Sequence, residues 1–166
     1  ELDAEDIPPE RVEGLKELAG SKNRELCIHA ARLLCSWGDN LGFQVLRDFV
    51  FNEPPVDREW VPHRIWGYDD TYRHIAYAVG RYWATHQENG DGDAARAAIV
   101  PVYIKLLEYS SVLPFEVPLD FLMRYDFIEF IPTLKSLLVD LLANPTASEG
   151  KIEDLARVMM PYERDF

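Results

Sequence analysis

The segment Trp66-Gly67-Tyr68-Asp69-Asp70 sets two aromatic rings beside two carboxylates. Trp60, Tyr72, Tyr77, Tyr82 and Trp83 follow or precede it closely. Tryptophan and tyrosine are favoured at the centres of protein interfaces. Mixed with carboxylates they suit recognition of a cationic surface. Tyr82 and Trp83 also fall at helical spacing, which suits packing between helices. Other chemistry-bearing residues are scattered. His29, His63, His74 and His86 form neither a His-x-x-x-His pair nor a Cys–His metal spacing. Asp91 and Asp93 in Asn89-Gly90-Asp91-Gly92-Asp93 have a calcium-loop flavour. Ala95 and Ala97, however, stand where an EF-hand needs oxygen ligands, so a turn and a helix cap are expected there. There is no Gly-rich phosphate loop and no Gly-x-Ser-x-Gly elbow. The sequence therefore points away from an enzyme and away from a metal or cofactor.

Charge narrows the partner. The chain carries 29 acidic and 17 basic side chains, a formal net charge of -12. Such a field repels a phosphate backbone and disfavours nucleic acid. It draws in a basic protein and speeds the encounter. Cys27 and Cys35 lie eight positions apart in one expected helix, about 12 Å along its axis, beyond the ~7 Å that a disulfide spans. Reduced, buried thiols in a cytoplasmic protein are the expectation. No apolar run has the length of a membrane span. The acidic opening, Glu1 to Glu10, lacks the apolar core of a signal peptide, and a chain that starts without methionine leaves room for a removed leader.

Helices must position these residues. Pro8 and Pro9 sit where a helix start tolerates proline, and Val12, Leu15 and Leu18 form the inward face of a helix ending at Gly20. Residues 23–37 place Leu26, Ala30, Leu33, Leu34 and Trp37 at helical spacing. After the Gly38-Asp39 turn, residues 41–52 turn Phe43, Leu46, Phe49 and Val50 inward. Two such helices on a short connection make an antiparallel hairpin. Residues 69–87 form a long helix capped by Asp69 or Asp70, with Ile75, Ala78, Val79, Tyr82 and Trp83 inside. Asp93 caps the next, running to about Tyr109. A short helix at 119–124, one at 126–143 and one at 149–160 complete an all-α chain, without strands. One domain is expected: an acidic tail (1–7), first helices and hairpin (8–52), a Pro/Trp-rich loop (53–68), a long hairpin (69–109), a third hairpin (116–143) and a C-terminal capping helix (149–160).

Pro132 stands inside an apolar helix pattern, where proline costs about 3 kcal/mol. It is not alone. Val100-Pro101 with Leu106-Leu107 matches Ile131-Pro132 with Leu137-Leu138, and Lys105 lies one place off Lys135 in that register. The helix at 41–52 fits the same frame with Gln44 in the proline place. A period of roughly 20–50 residues is the mark of a helical solenoid, in which each hairpin must stack on a neighbour to bury its apolar face. Asp93…Val100-Pro101…Leu106-Leu107, Asp126…Ile131-Pro132…Leu137-Leu138 and the Trp37-Gly38-Asp39 turn resemble the HEAT-type repeat over 24–142. The resemblance implies antiparallel hairpins stacked as a short solenoid, with each proline in the first two turns of its helix, where its missing N–H costs less.

In type, a small, acidic, all-helical chain resembles the bacterial immunity proteins, some of them built from HEAT-like hairpins, although no motif here is diagnostic of them. That resemblance implies an inhibitor that occludes a basic toxin domain, often a nuclease. Asp48, Glu53, Asp57, Glu59, Trp60, Trp66, Tyr68, Asp69, Asp70 and Glu108 are the expected contacts, on the concave side of the helices at 41–52, 93–109 and 126–143 and the loop at 53–70. A scaffold or adaptor would use the same surface physics. Among HEAT-like enzymes, a DNA glycosylase type needs a basic groove that this chain does not suggest. A bilin lyase type, with aromatics and a carboxylate in a pocket, is the lesser alternative.

Overall fold

The computed structural model describes residues 7–53, 64–65, 68–109, 116–143 and 149–162. The described residues are all-α in class, with helices α1 (Pro9–Ala19), α2 (Arg24–Ser36), α3 (Asn40–Asn52), α4 (Thr71–Glu88), α5 (Gly92–Glu108), α6 (Glu116–Tyr125), α7 (Ile131–Leu142) and α8 (Glu149–Met159). The expectation of no strands is corrected in one place. β1 (Arg64–Ile65) and β2 (Tyr68–Asp69) pair antiparallel, Arg64 opposite Asp69 and Ile65 opposite Tyr68. Two residues per strand are too few for an alternating pattern to be read. No helix among the described residues is long and apolar enough to cross a membrane. The chain divides into two compact units, Glu1–Val102 and Tyr103–Phe166, and the division falls inside α5.

In the first unit α2 is the central helix, packed against α1, α3 and α4. Asn23 starts it by accepting the Leu26 N–H at 3.2 Å, which satisfies one of the amides a helix start leaves open. Its buried side is Cys27, Ile28, Ala30, Ala31, Leu34 and Cys35. This corrects the expected face: Ala30 and Leu34 are inside, Trp37 is half-buried, but Leu26 and Leu33 are exposed. The reason is closeness. Gly42 of α3 lies against α2 so tightly that a Cβ there would come within 2.6 Å of the Ala31 carbonyl oxygen and of Leu34 Cβ. At this approach the stripe of α2 facing Gly42 is taken by Ala31, Cys35 and the Cβ of Leu34, and Leu26 and Leu33 fall outside it. The face expected for α3 is the one found, with Phe43, Leu46, Phe49 and Val50 all buried. The same holds for Ile75, Ala78, Val79, Tyr82 and Trp83 of α4. On α1, Val12 and Leu15 pack against Ala19, Ala30 and Leu34, while Leu18 is exposed.

Two turns in this unit have the same construction. Gly38 follows α2 with φ +80, its N–H donating to the Cys35 carbonyl at 3.0 Å while the Asp39 N–H reaches the Leu34 carbonyl at 3.0 Å. Gly90 follows α4 with φ +89, donating to the Gln87 carbonyl at 3.3 Å while Asp91 N–H reaches the His86 carbonyl at 3.0 Å. Both are the paired-bond Schellman ending, which asks for a left-handed residue and so for glycine. Asp39 then starts α3, its carboxylate accepting from Leu41 N–H at 2.8 Å and Gly42 N–H at 3.2 Å. Asp93, expected as a cap, lies instead in the first turn of α5, which starts at Gly92.

In the second unit α7 packs on α8 and α6 on α8. Tyr103, Phe121, Phe127 and Phe130 form its aromatic centre, with ring centroids 5.2 to 5.7 Å apart. α6 begins earlier than expected and holds Pro118 in its first turn. Asp126 has φ +57, a region that Asp tolerates better than most residues. A short 3-10 turn, Ile128–Phe130, leads into α7.

The two prolines turn out to be unlike. Pro132 sits in the first turn of α7, where no backbone bond is lost. Pro101 lies in the interior of α5, beyond its second turn, where the expectation had placed it earlier. The shared Gly-Asp turns also set α3 and α5 in a different register from the one the prolines suggest. Counted from Gly38 and Gly90, Phe49 rather than Gln44 takes the place of Pro101.

Candidate functional site

Asp48 and Glu53 come together at the C-terminal end of α3. The inward phase of Phe43, Leu46, Phe49 and Val50 leaves Asp48 on the outer side. A groove of about 370 Å³ opens there between the end of α1, the start of α2 and the end of α3, lined by Arg24, Cys27, Val45, Asp48, Phe49 and Glu53 among others. Glu53 is tied to three helices. Its N–H closes α3 on the Phe49 carbonyl at 2.9 Å. Its carboxylate pairs with Arg24 of α2, and its carbonyl accepts the Tyr72 hydroxyl of α4. Arg24 also lies 5.9 Å from the Phe49 ring centroid, within cation–π range. Asp48 is 62% exposed at its side chain and takes Arg47 at 3.0 Å. The helix end adds to the acidity: the last carbonyls of a helix carry partial negative charge, and the last turn of α3 holds no basic residue.

The other expected contacts are distributed. Asp70 is the residue before α4, half-buried, and its side chain makes no cap bond; its carbonyl accepts the His74 N–H at 3.0 Å. Tyr68 and Asp69 form β2. Glu108 ends α5 in the second unit and takes Lys105 at 2.7 Å. Asp57, Glu59, Trp60 and Trp66 lie outside the described residues. Of the three helices expected to carry the interface, α3 belongs to the first unit, α7 to the second, and α5 runs through both. Arg24 is the residue of this groove that sequence reasoning missed. Its pairing with Glu53 joins positions far apart in the chain, and no local pattern announces it.

The reactive side chains have structural duties. Cys27 and Cys35 are free and buried. The Cys27 thiol donates to the Ala19 carbonyl at 2.9 Å and the Cys35 thiol to the Ala78 carbonyl at 3.4 Å. Burial, with Asp39 adding to it, pushes the Cys35 thiol far above the usual thiol range, which removes the thiolate that reactivity needs. His86 is a brace. Its Nδ1 meets Asp91 at 2.7 Å, its Nε2 meets the Gly38 carbonyl at 3.2 Å, and its ring lies 4.3 Å from that of Tyr82. It thereby holds the turn after α4 against the turn after α2. Tyr82 in turn stacks on Phe43 at 4.5 Å and donates to Asn40 Oδ1 at 2.6 Å. His63 lies outside the described residues. Among the described residues no three His, Cys, Asp or Glu side chains converge as a metal site would require.

Compared with protein-family models, with curated proteins and with solved structures, the chain matches none.

Proposed function

We propose that this chain is a protein-binding inhibitor that occludes a basic partner, in the manner of a bacterial immunity protein holding its cognate toxin domain. The observation that carries the reading is the acidic end of α3, where Asp48, Glu53 and a helix C-terminus with no basic residue in its last turn flank one groove. Arg47 and Arg24 occupy these carboxylates in the free chain. The Arg47–Asp48 pair is exposed, and exposed ion pairs are worth about 0–1 kcal/mol, so an incoming Lys or Arg exchanges with Arg47 at little cost. Both units are net acidic, and that charge steers a basic partner from beyond contact distance. The helices α2–α3 and the α4–α5 turn are read as copies of one HEAT-like unit, supported by the matching Gly38-Asp39 and Gly90-Asp91 endings.

The test is growth. A protein captured on this chain from its source cells is expressed alone and together with it. Arrest by the partner alone, relieved by this chain and not by its Asp48→Lys variant, supports inhibition through the α3 end. A partner that leaves growth untouched overturns the inhibitor reading and leaves a scaffold.

A further inference from the structure

A second groove in the first unit has a cationic lining in an otherwise acidic chain. It lies between α2 and α4 and has a volume of about 350 Å³, within the size range of small-ligand sites. Arg32, Leu33 and Trp37 line it from the α2 side, and His74, Tyr77 and Arg81 from α4. No Asp or Glu lines it among the described residues. In a chain with net charge -12 a cationic side chain has ample carboxylates to choose from. Lys16, Arg24, Arg47, Lys105, Arg124 and Arg157 all pair with one. Arg32 has no carboxylate partner among the described residues. It is half-buried, and burial alone draws its pKa below the usual guanidinium value. A desolvated guanidinium without a counter-charge is costly to keep.

The walls are apolar and aromatic as well. Tyr77 is 50% exposed and Leu33 41%. Leu33 is exposed because the close α2–α3 contact takes Ala31, Leu34 and Cys35 of α2 instead. Arg73 stands 6.0 Å from the Tyr77 ring centroid, adding a further positive charge beside the groove.

We propose that the α2–α4 groove binds a small organic anion, a phosphate or carboxylate carried on a flat apolar body, with Arg32 and Arg81 holding the anion and Trp37, Tyr77 and Leu33 the body. Guanidinium forks match such anions in two-point geometry, and aromatic faces suit a flat group. This site is independent of the acidic end of α3.

The test is calorimetric titration of the full chain with 1-naphthyl phosphate, beside inorganic phosphate and 1-naphthol. The expected result is saturable binding of 1-naphthyl phosphate at one site, tighter than either half alone. Arg32→Gln and Arg81→Gln each weaken it by about tenfold or more, the scale of one charge-assisted pair. Tyr77→Ala, at a half-exposed position that folding tolerates, weakens it while leaving the thermal transition in place. Naphthol binding as tightly as the phosphate overturns the anion assignment. Inorganic phosphate binding as tightly overturns the apolar wall. Absence of binding, or binding unchanged in all three variants, overturns the site.

Discussion

Glycine to alanine at two helical positions has opposite signs in this fold, and the pair tests the closeness of α2 and α3. Gly14 of α1 is exposed, and a Cβ there meets nothing within 4 Å. Gly14→Ala therefore gains only the helix preference of alanine, about 0.8–1 kcal/mol. Gly42→Ala gains the same, but its methyl group enters space held by the α2 backbone and Leu34 Cβ. A backbone cannot rotate aside as a flexible side chain can, and α2 is clamped by α1 and α4 as well. Overpacking of this kind costs about 1–3 kcal/mol, and the rigid neighbours place it at the upper end. The net loss is about 2 kcal/mol after the propensity gain, which for a chain of this size lowers Tm by about 4–8 °C. Tryptophan fluorescence during urea or thermal unfolding is the assay, since all four tryptophans fall in the first unit. Gly14→Ala should melt above the parent and Gly42→Ala below it. A Gly42→Ala protein as stable as the parent refutes the close approach, and with it the explanation of why Leu26 and Leu33 face outward.

Three more outcomes follow from the same structure. Gly38→Ala forces alanine into the left-handed region, at about 1–2 kcal/mol, and sets its Cβ 2.8 Å from Thr85 Cγ2; the melt should fall even though the residue is not in the core. Pro101→Ala restores an interior backbone bond of α5 and should stabilise by about 1–3 kcal/mol, whereas Pro132→Ala, in the first turn of α7, should shift the melt by less than about 0.5 kcal/mol; equal effects contradict the placement of the two prolines. Alkaline pH should destabilise the first unit. The Cys35 thiol and the Tyr82 phenol are both held above their unfolded values of 9.0 and 10.0, Tyr82 by burial with Cys35, Asp91 and Asp39 adding to it. The folded state thus binds more protons, and its stability, full below pH 9, falls as pH rises through the thiol and phenol range by up to about 1.4 kcal/mol per pH unit per group. Cys35→Ala should flatten that slope between pH 9 and 10, and an unchanged slope contradicts it.

The helices that the sequence placed well are those whose large apolar residues do the packing. Phe43, Leu46, Phe49 and Val50 on α3, and Ile75, Val79, Tyr82 and Trp83 on α4, carry enough buried area to fix the phase of their helices. α2 departs from its expected face because hydrophobicity favours Leu26 and Leu33, while the contact with α3 favours the small Ala31 and Cys35. Only the partner helix, through Gly42, decides between them. Pro101 and Pro132 likewise look alike in sequence and differ in place, one in a helix interior and one in a first turn, so they do not mark a common register. At the candidate site the acidic residues were plain, but Arg24 against Glu53 and Tyr72 against its carbonyl are tertiary contacts that no spacing encodes. The groove with Arg32 and Arg81 was hidden for the same reason, since its walls come from two helices.

If the acidic surface takes one basic partner, the immobilised chain should retain that partner selectively. The direct measurement is capture of the partner on immobilised chain from source cells at low and at high salt, read by mass spectrometry. The expected result is a single basic protein, retained strongly at low salt, weakened at high salt as screening shortens the reach of charge, and lost with Asp48→Lys. Several neutral or acidic proteins, held equally at both salt concentrations, would contradict it.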